Sequence, residues 1–395
     1  MGKINRTLSE ERIKQLEELR GSKIKRNNSG KYRITKKEWE ILSGITQVAK
    51  EHNVDPSEIK HVWVKNKNSS AFIKNPFFND NNNVQMVEAF DEVASKYVGG
   101  KVRTINPQII IQKKALKATT TDDHVGMNPG NGLFEYEYNA DIYTNSMDKV
   151  YQAIIKEHKT HGHFDLLLLD NLGDQQDGYN KLTTRGGHEL PQNMTNAEVF
   201  HTCIDVKTNL IINLIESGIT NRIWLRNVVN DNHSGDFGYM VSIALQKIIN
   251  KIYSEEVVKV DHLTRFLEHR TYGKHCFILT HGKDKKERSR GLPLVLDHKT
   301  INYINQFIDS REIEQPFIHV EKGDLHQIGY QRTKKFDYRN FMSFAPPSNW
   351  VQHNFGDCYS GFSIQIIPKN SNEISHTDYF LDYQLKKYEK PFSFE

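Results

Sequence analysis

Five short segments of this chain set carboxylates, imidazoles and amides a few residues apart. "TDDHVGMNPG" carries Asp122 and His124 separated by one residue, so both side chains of an extended segment can point the same way. "LLLLDNLGDQQDG", Leu166 to Gly178, runs leucines straight into Gly173, Asp174 and Asp177. "NDNHSGD" offers Asn232 and His233, "HGKD" offers His281, and "GDLHQ" offers Asp324 and His326. Mixed imidazole, carboxylate and amide donors suit Mn, Fe or Zn better than Ca. One or two such groupings arise by chance, but a succession of them implies that the folded chain gathers the side chains to do metal chemistry.

Each segment follows a run that reads as a buried strand. The runs are "KALKATT", "HFDLLLLD", "NRIWLRNVV", "KHCFILT" and "PFIHV", with "QIIIQ" as an earlier apolar stretch. Between them lie helical patterns: "SMDKVYQAIIKEH", "NAEVFHTCIDVKTNLIINLIESG", "FGYMVSIALQKIINKIY" and "HKTINYINQFIDS". This alternation predicts an α/β architecture. In such sheets functional groups collect in the loops beyond the carboxyl ends of the strands. Gly173 would let the chain turn sharply after the leucines.

In order and type these segments resemble the calcineurin-like metallophosphoesterase superfamily, whose pattern is D-x-H, G-D-x-x-D, G-N-H-[DE], a lone H, then G-H-x-H. The match spans Thr119 to Gln327 and leaves residues 1–100 outside it. The resemblance implies a four-layer αββα sandwich over residues 101–395 that holds two divalent metal ions. By position, Asp122, His124, Asp174 and His326 would hold the first ion. Asp174 would bridge to the second, held also by Asn232 and His281. His233 matches the catalytic histidine, which would bond the phosphate and protonate the leaving group, while Asp177 would orient a neighbouring ligand or loop. Manganese is the metal expected first, with Fe, Zn or Mg as alternatives. A water shared by the two ions would lose its proton near neutral pH and attack phosphorus.

The chain departs from the pattern at three positions. Asp231 replaces a glycine and Ser234 replaces the acid that often follows the histidine, but neither position supplies a ligand. Asp324 stands where the first histidine of G-H-x-H belongs. An aspartate there can ligate a divalent ion, adding a negative charge that would raise the pKa of the shared water. Arg185 and His188, in the long loop "TTRGGHELPQN", are candidates to touch a substrate phosphate or base, the alternative being a plain surface loop.

At 395 residues the chain has room for one large α/β domain plus a smaller appendage. No apolar run approaches the ~20 residues of a bilayer span, and the start "MGKINRTLSEERIKQ" has no apolar segment behind its charges. The 3 cysteines are too few and too scattered for a disulfide framework, so a reducing, cytoplasmic setting is expected. Charge is uneven: Met1 to Lys117 carries 23 Lys and Arg against 13 Asp and Glu, although the whole chain is only +4.

That basic region, residues 1–100, is expected to form a small, mainly helical module. "LSEERIKQLEELR" and "TKKEWEILSGITQVAKEHN" have helical spacing, the latter with a Thr35 cap. "NVDPSEIKHVWVK" reads as a turn and a second short helix, "SSAFIKNPFF" as a wing-like strand and "NDNNN" as a loop. A helix–turn–helix of this kind could enter a DNA groove, the alternative being a helical packing module. The combined expectation is a metal-dependent phosphodiesterase acting on DNA, with nucleic acid as partner through the basic module. The alternatives are a small-nucleotide phosphodiesterase, a protein phosphatase, or a DNA-binding protein with a degenerate phosphoesterase domain.

Overall fold

The computed structural model describes residues 3–6, 13–14, 17, 32–53, 55–56, 59, 61–65, 70–75, 81–97, 103, 113–130, 134–284, 291–356 and 358–383. Two compact units result, Met1–Val84 and Gln85–Glu395.

In the smaller unit β1 (Lys3–Arg6) pairs antiparallel with β2 (Tyr32–Thr35). Two short helices follow, α1 (Lys36–Ser43) and α2 (Ile45–His52). Thr35 and Glu38 bond reciprocally at the start of α1, as the capping pattern requires. Gly44, at φ 70, separates the two helices, and Trp39, Ile45 and Ala49 are buried. The expected second helix of a helix–turn–helix is not what forms. Instead β3 (His61–Lys65) and β4 (Ser70–Lys74) make an antiparallel hairpin. The reason is local: "HVWVK" sets three β-branched or aromatic residues in a row, Val62, Trp63 and Val64, which favour a pleated strand. Among its described residues the module thus adds two short antiparallel strand pairs to its helices. The helix read over Leu8–Leu19 lies largely outside the described residues, as does "QIIIQ". "NDNNN" is not a loop throughout, because α3 (Asn81–Tyr97) begins at its third residue.

Ala89 and Val93 of α3 join the core of the larger unit, so the compact body begins before residue 101. After β5 (Lys114–Thr120) come α4 (Ala140–His161), β6 (Leu166–Asn171), α5 (Asn196–Glu216), β7 (Ile223–Val228), α6 (Gly235–Ile252), β8 (Val258–Leu263) and β9 (Glu268–Tyr272). β10 (His275–Leu279), α7 (His298–Ser310), β11 (Phe317–Lys322), β12 (Gly329–Arg332) and β13 (Asp337–Asn340) follow. α8 (Asn349–Phe355), β14 (Ser360–Pro368) and β15 (Ser375–Leu381) complete the unit.

The strands form a six-stranded sheet, β15-β14-β5-β6-β7-β8, and a five-stranded sheet, β12-β13-β11-β10-β9. Within them β5, β6, β7 and β8 are parallel, as are β10, β11 and β13. Alternation along each strand separates the layers. Leu167 and Leu169 of β6 pack with α4, α5 and α6, whereas Leu168 turns to a second cluster with Phe277, Leu279 and Phe341. On the other sheet Cys276 and Ile278 pack with Ile304 and Ile308 of α7. The result is the four-layer αββα sandwich, and it explains why the leucines of β6 run unbroken: both faces of the strand are covered.

The layer between the sheets also carries charge. Lys117 on β5 lies 2.7 Å from Glu321 on β11 and 3.4 Å from Asp170 on β6. Arg226 on β7 binds Asp170 through two 2.6 Å hydrogen bonds. These four buried groups, two of each sign, tie the two sheets together.

Candidate metal centre

The loops after β5, β6, β7, β10 and β11 meet at one end of the sandwich. They are laced by main-chain bonds: Asp122 N–H donates to Gly173 O at 3.0 Å, His124 N–H to Asp174 O at 3.0 Å and Gly323 N–H to His281 O at 3.1 Å. Asp122, His124, Asp174, Asp324 and His326 all have positive φ, between 43° and 72°. Left-handed backbone at non-glycine residues is costly and concentrates at sites that the surrounding structure holds in place. Gly173, at φ 104, lies so close to His281 that a Cβ would sit 2.8 Å from its ring. That proximity admits no side chain.

Three groups of ligand atoms converge among the described residues: Asp122 with His124 and His326, Asp122 with Asp174 and His281, and Asp177 with His124 and His233. Oδ1 of Asp122 is buried, accepts no well-directed hydrogen bond, and has three imidazole Nε2 atoms around it. His326 is at 3.3 Å, His124 at 3.8 Å and His281 at 3.9 Å. Nε2 of His281 is also 2.9 Å from Asp174 Oδ2. Asp122 is thus the carboxylate common to the first two groups, and Asp174, the bridging residue that the resemblance implies, joins it in the second. The other oxygen of Asp122 is fixed by Thr121 Oγ1 at 2.7 Å and by the Asp324 amide at 3.1 Å.

Two of the three imidazoles around Asp122 are aimed by their second nitrogen. Nδ1 of His281 is 2.9 Å from the carbonyl oxygen of Leu172, and Nδ1 of His124 is 3.0 Å from Asp177 Oδ1. Both arrangements turn Nε2 into the site, as metal-binding histidines require. Asp177 faces His233 as well, 3.2 Å from its Nδ1, and so holds two imidazoles at once. Nε2 of His233 lies 3.9 Å from Asp174 Oδ2. Asn232 is buried, and its Oδ1 has no hydrogen-bond partner. Orphaned acceptors in a buried acidic cluster fit a cation, because unpaired buried groups are otherwise costly.

Electrostatics point the same way. Burial lowers the affinity of His281 for protons, but the carboxylates of Asp174 and Asp122 override it and raise its pKa to about 10. His233 rises likewise to about 9, against burial, through Asp174 and Asp177. Burial would raise Asp174, yet His281 and His233 hold it well below the usual carboxylate range. Asp122 is lowered in the same manner, chiefly by His326 and His281. Protons on the histidines thus supply positive charge that the carboxylates demand and that a metal ion can replace.

Asp324 stands apart. Its carboxylate belongs to none of the three groups, although its charge acts on His281, and its main-chain amide donates to Asp122 Oδ2. Beside it the buried ammonium of Lys322 donates to Gly323 O at 2.6 Å and Asn340 Oδ1 at 2.5 Å. Burial pushes Lys322 down to about 8, opposed by Asp324 and Asp122. Arg185 donates to Asp284 Oδ1 at 3.1 Å, and its main-chain N–H donates to Asn232 O at 3.0 Å, so its loop is fastened to the His233 turn. His188 is exposed farther along that loop.

Two residues escaped the sequence reading. Asp123, between two candidate ligands, points away from them, is buried, and accepts from Asn171 Nδ2 at 3.0 Å. Burial raises its carboxyl to about 6 despite nearby Lys207. Asp231 is buried against Asp174 and the start of α6. Burial and the charge of Asp174 raise it to about 6. Only the departure from glycine marked Asp231 in the sequence, and nothing marked Asp123.

No family model matches the chain, and no curated protein matches it. Among solved structures, a novel archaeal phosphodiesterase is 9% identical over 67% of this chain and 99% of that chain, at TM-score 0.31. Vps29 complexed with zinc, from Entamoeba histolytica, is 10% identical over 67% and 98%, at TM-score 0.28. A predicted phosphoesterase from Streptococcus pneumoniae is 11% identical over 67% and 98%, at TM-score 0.23. Likenesses this distant add nothing to the argument from the site. Among the described residues no helix is long and apolar enough to cross a membrane. In its layers, and in the order of the residues that its strand ends bring together, the chain resembles the calcineurin-like metallophosphoesterases.

Proposed function

We propose that this protein is a divalent-metal-dependent phosphodiesterase whose substrate is a nucleic acid, DNA in the first instance. The observation that carries the reading is the ring of three imidazole Nε2 atoms, 3.3 to 3.9 Å from one unsatisfied buried oxygen of Asp122. Asp122, His124 and His326 would hold one ion; Asp122, Asp174 and His281, with the amide oxygen of Asn232, would hold a second. A divalent ion bound there would polarise a phosphoryl oxygen and acidify a water.

The protein's own groups would do the rest. His233, held by Asp177 and 21% exposed in its side chain, would bond a phosphate oxygen and give its proton to the leaving group. Arg185, anchored by Asp284 beside that turn, would meet the phosphate charge. Asp324 would contribute through its main-chain amide, which supports Asp122. DNA is proposed because the 23 Lys and Arg against 13 Asp and Glu of Met1 to Lys117 would supply phosphate affinity. A small-nucleotide phosphodiesterase is the second reading, favoured by the hairpin that stands where a groove-reading helix was expected.

The test is hydrolysis of bis-p-nitrophenyl phosphate, a cyclic nucleotide and labelled single- and double-stranded DNA with Mn, Zn, Mg or EDTA. Metal-dependent cleavage of DNA is expected, with manganese the most effective. Cleavage of the nucleotide alone would select the second reading, and no turnover with any metal would sink both.

A further inference from the structure

Asp231 occupies a position where the motif usually has glycine, yet its carboxylate is wholly inside the protein. Oδ1 accepts from the main-chain N–H of Ser234 at 2.8 Å and of Gly235 at 3.0 Å, where α6 begins. Oδ2 accepts from the main-chain N–H of Asp174 at 3.1 Å. Ser234 Oγ lies 3.1 and 3.0 Å from the two oxygens. The bond to Asp174 is answered in the opposite direction: Oδ1 of Asp174 accepts from the main-chain N–H of His233 at 3.0 Å. A closed ring results, with the side chain of each loop holding the main chain of the other.

The ring acts where the backbone is least comfortable. Asp174 sits at φ 49, a conformation that persists only when its surroundings impose it. The amide held by Asp231 belongs to the residue whose Oδ2 lies 2.9 Å from His281 Nε2. Rotation of that peptide would swing Oδ2 away from His281 and release the His233 amide together.

We propose that Asp231 is a positioning residue of the metal centre: it fixes Asp174 and the Asn232–His233 turn in the geometry that binds a divalent ion. The proposal rests on the metal-site reading above. It is distinct from capping α6, and the chemistry of asparagine separates the two roles. In Asp231→Asn, Oδ1 can still accept from Ser234 and Gly235, so the helix start keeps its cap. Nδ2, a donor, cannot accept from the Asp174 amide, so only the link to the metal loop is lost.

The experiment compares the full-length wild type, Asp231→Asn and Asp231→Ala by calorimetric titration with Mn2+ and by thermal unfolding in EDTA. For Asp231→Asn we expect Mn2+ affinity to fall by about 10- to 100-fold, the usual effect of losing a residue that orients a ligand. Its Tm in EDTA should stay within about 3 °C of wild type, while Asp231→Ala should lose Tm as well. Unchanged Mn2+ affinity in Asp231→Asn overturns the proposal and leaves the metal reading standing. A fall in the Tm of Asp231→Asn as large as that of Asp231→Ala overturns it in favour of capping alone. A wild-type protein that binds no Mn2+ overturns the metal reading and this proposal with it.

Discussion

Nδ1 of His281 lies 2.9 Å from the carbonyl oxygen of Leu172. A carbonyl can only accept, so Nδ1 carries a hydrogen and Nε2 is the atom turned toward Asp174 and Asp122. Leu172 follows the last residue of β6 and His281 stands two residues after β10, so this one bond joins the two sheets at the site and sets which nitrogen faces the carboxylates.

Because Asp174 and Asp122 raise His281 to about 10, the metal-free protein keeps that imidazole protonated at neutral pH. A metal ligand must be deprotonated, so binding has to expel the proton. Apparent affinity for Mn2+ should therefore rise between pH 6 and 9, by about tenfold per pH unit for each proton expelled. Titration calorimetry in two buffers of different ionisation enthalpy measures the release. Equal heats in both buffers would contradict it. The sign for stability is opposite: a raised histidine pKa stabilises the metal-free fold fully below about 6.5, and that gain disappears as pH climbs through about 10.

Asp174→Asn keeps size and most hydrogen bonding but removes the charge that faces His281 and His233. Turnover of bis-p-nitrophenyl phosphate should fall by about 100- to 1000-fold, several kcal/mol of transition-state stabilisation. Circular dichroism should not change. Activity within a few fold of wild type would remove Asp174 from the site.

Asp177 touches His124 and His233 together, so its loss should show in two measurements. In Asp177→Asn we expect Mn2+ affinity to drop by about 10- to 100-fold through His124. At saturating metal kcat should still be depressed, by about 100-fold, through His233. Full recovery of kcat with added metal would show that Asp177 serves His124 alone.

Away from the site, Lys117→Met leaves Asp170 with Arg226 alone and takes from Glu321 the ammonium that lies 2.7 Å away. Removing one member of a buried ionic group typically costs about 3–5 kcal/mol. Urea unfolding in EDTA should register that loss. A change under about 1 kcal/mol would mean that water reaches the space between the sheets.

Much of this architecture was legible because it is local. "HKTINYINQFIDS" coincides with α7 from first residue to last, since apolar spacing and the Asp297 cap at its start are both written in consecutive residues. The strand-end motifs were legible for the same reason, each being a few donors after an apolar run. "HVWVK" is the exception: a run of three β-branched or aromatic residues fits the end of a short helix as a pattern, yet forms β3. β8, β9 and β12 to β15 were not anticipated, for most are short and "EHRTY", "GYQR" and "DYRN" carry too little apolar pattern to declare a strand.

Which residue types stand at the ends of which strands is written in the chain, because burying both faces of β6 or β10 and then turning is a matter of neighbouring residues. Which carboxylate oxygen the imidazoles surround depends on how distant loops pack together. Oδ1 of Asp122 lies among three imidazoles, the Asp324 amide donates to the other oxygen of Asp122, and Asp231 accepts from the Asp174 amide. Those outcomes depend on left-handed backbone angles and on contacts between loops as much as 202 residues apart, as between Asp324 and Asp122, and no short window of sequence contains both partners.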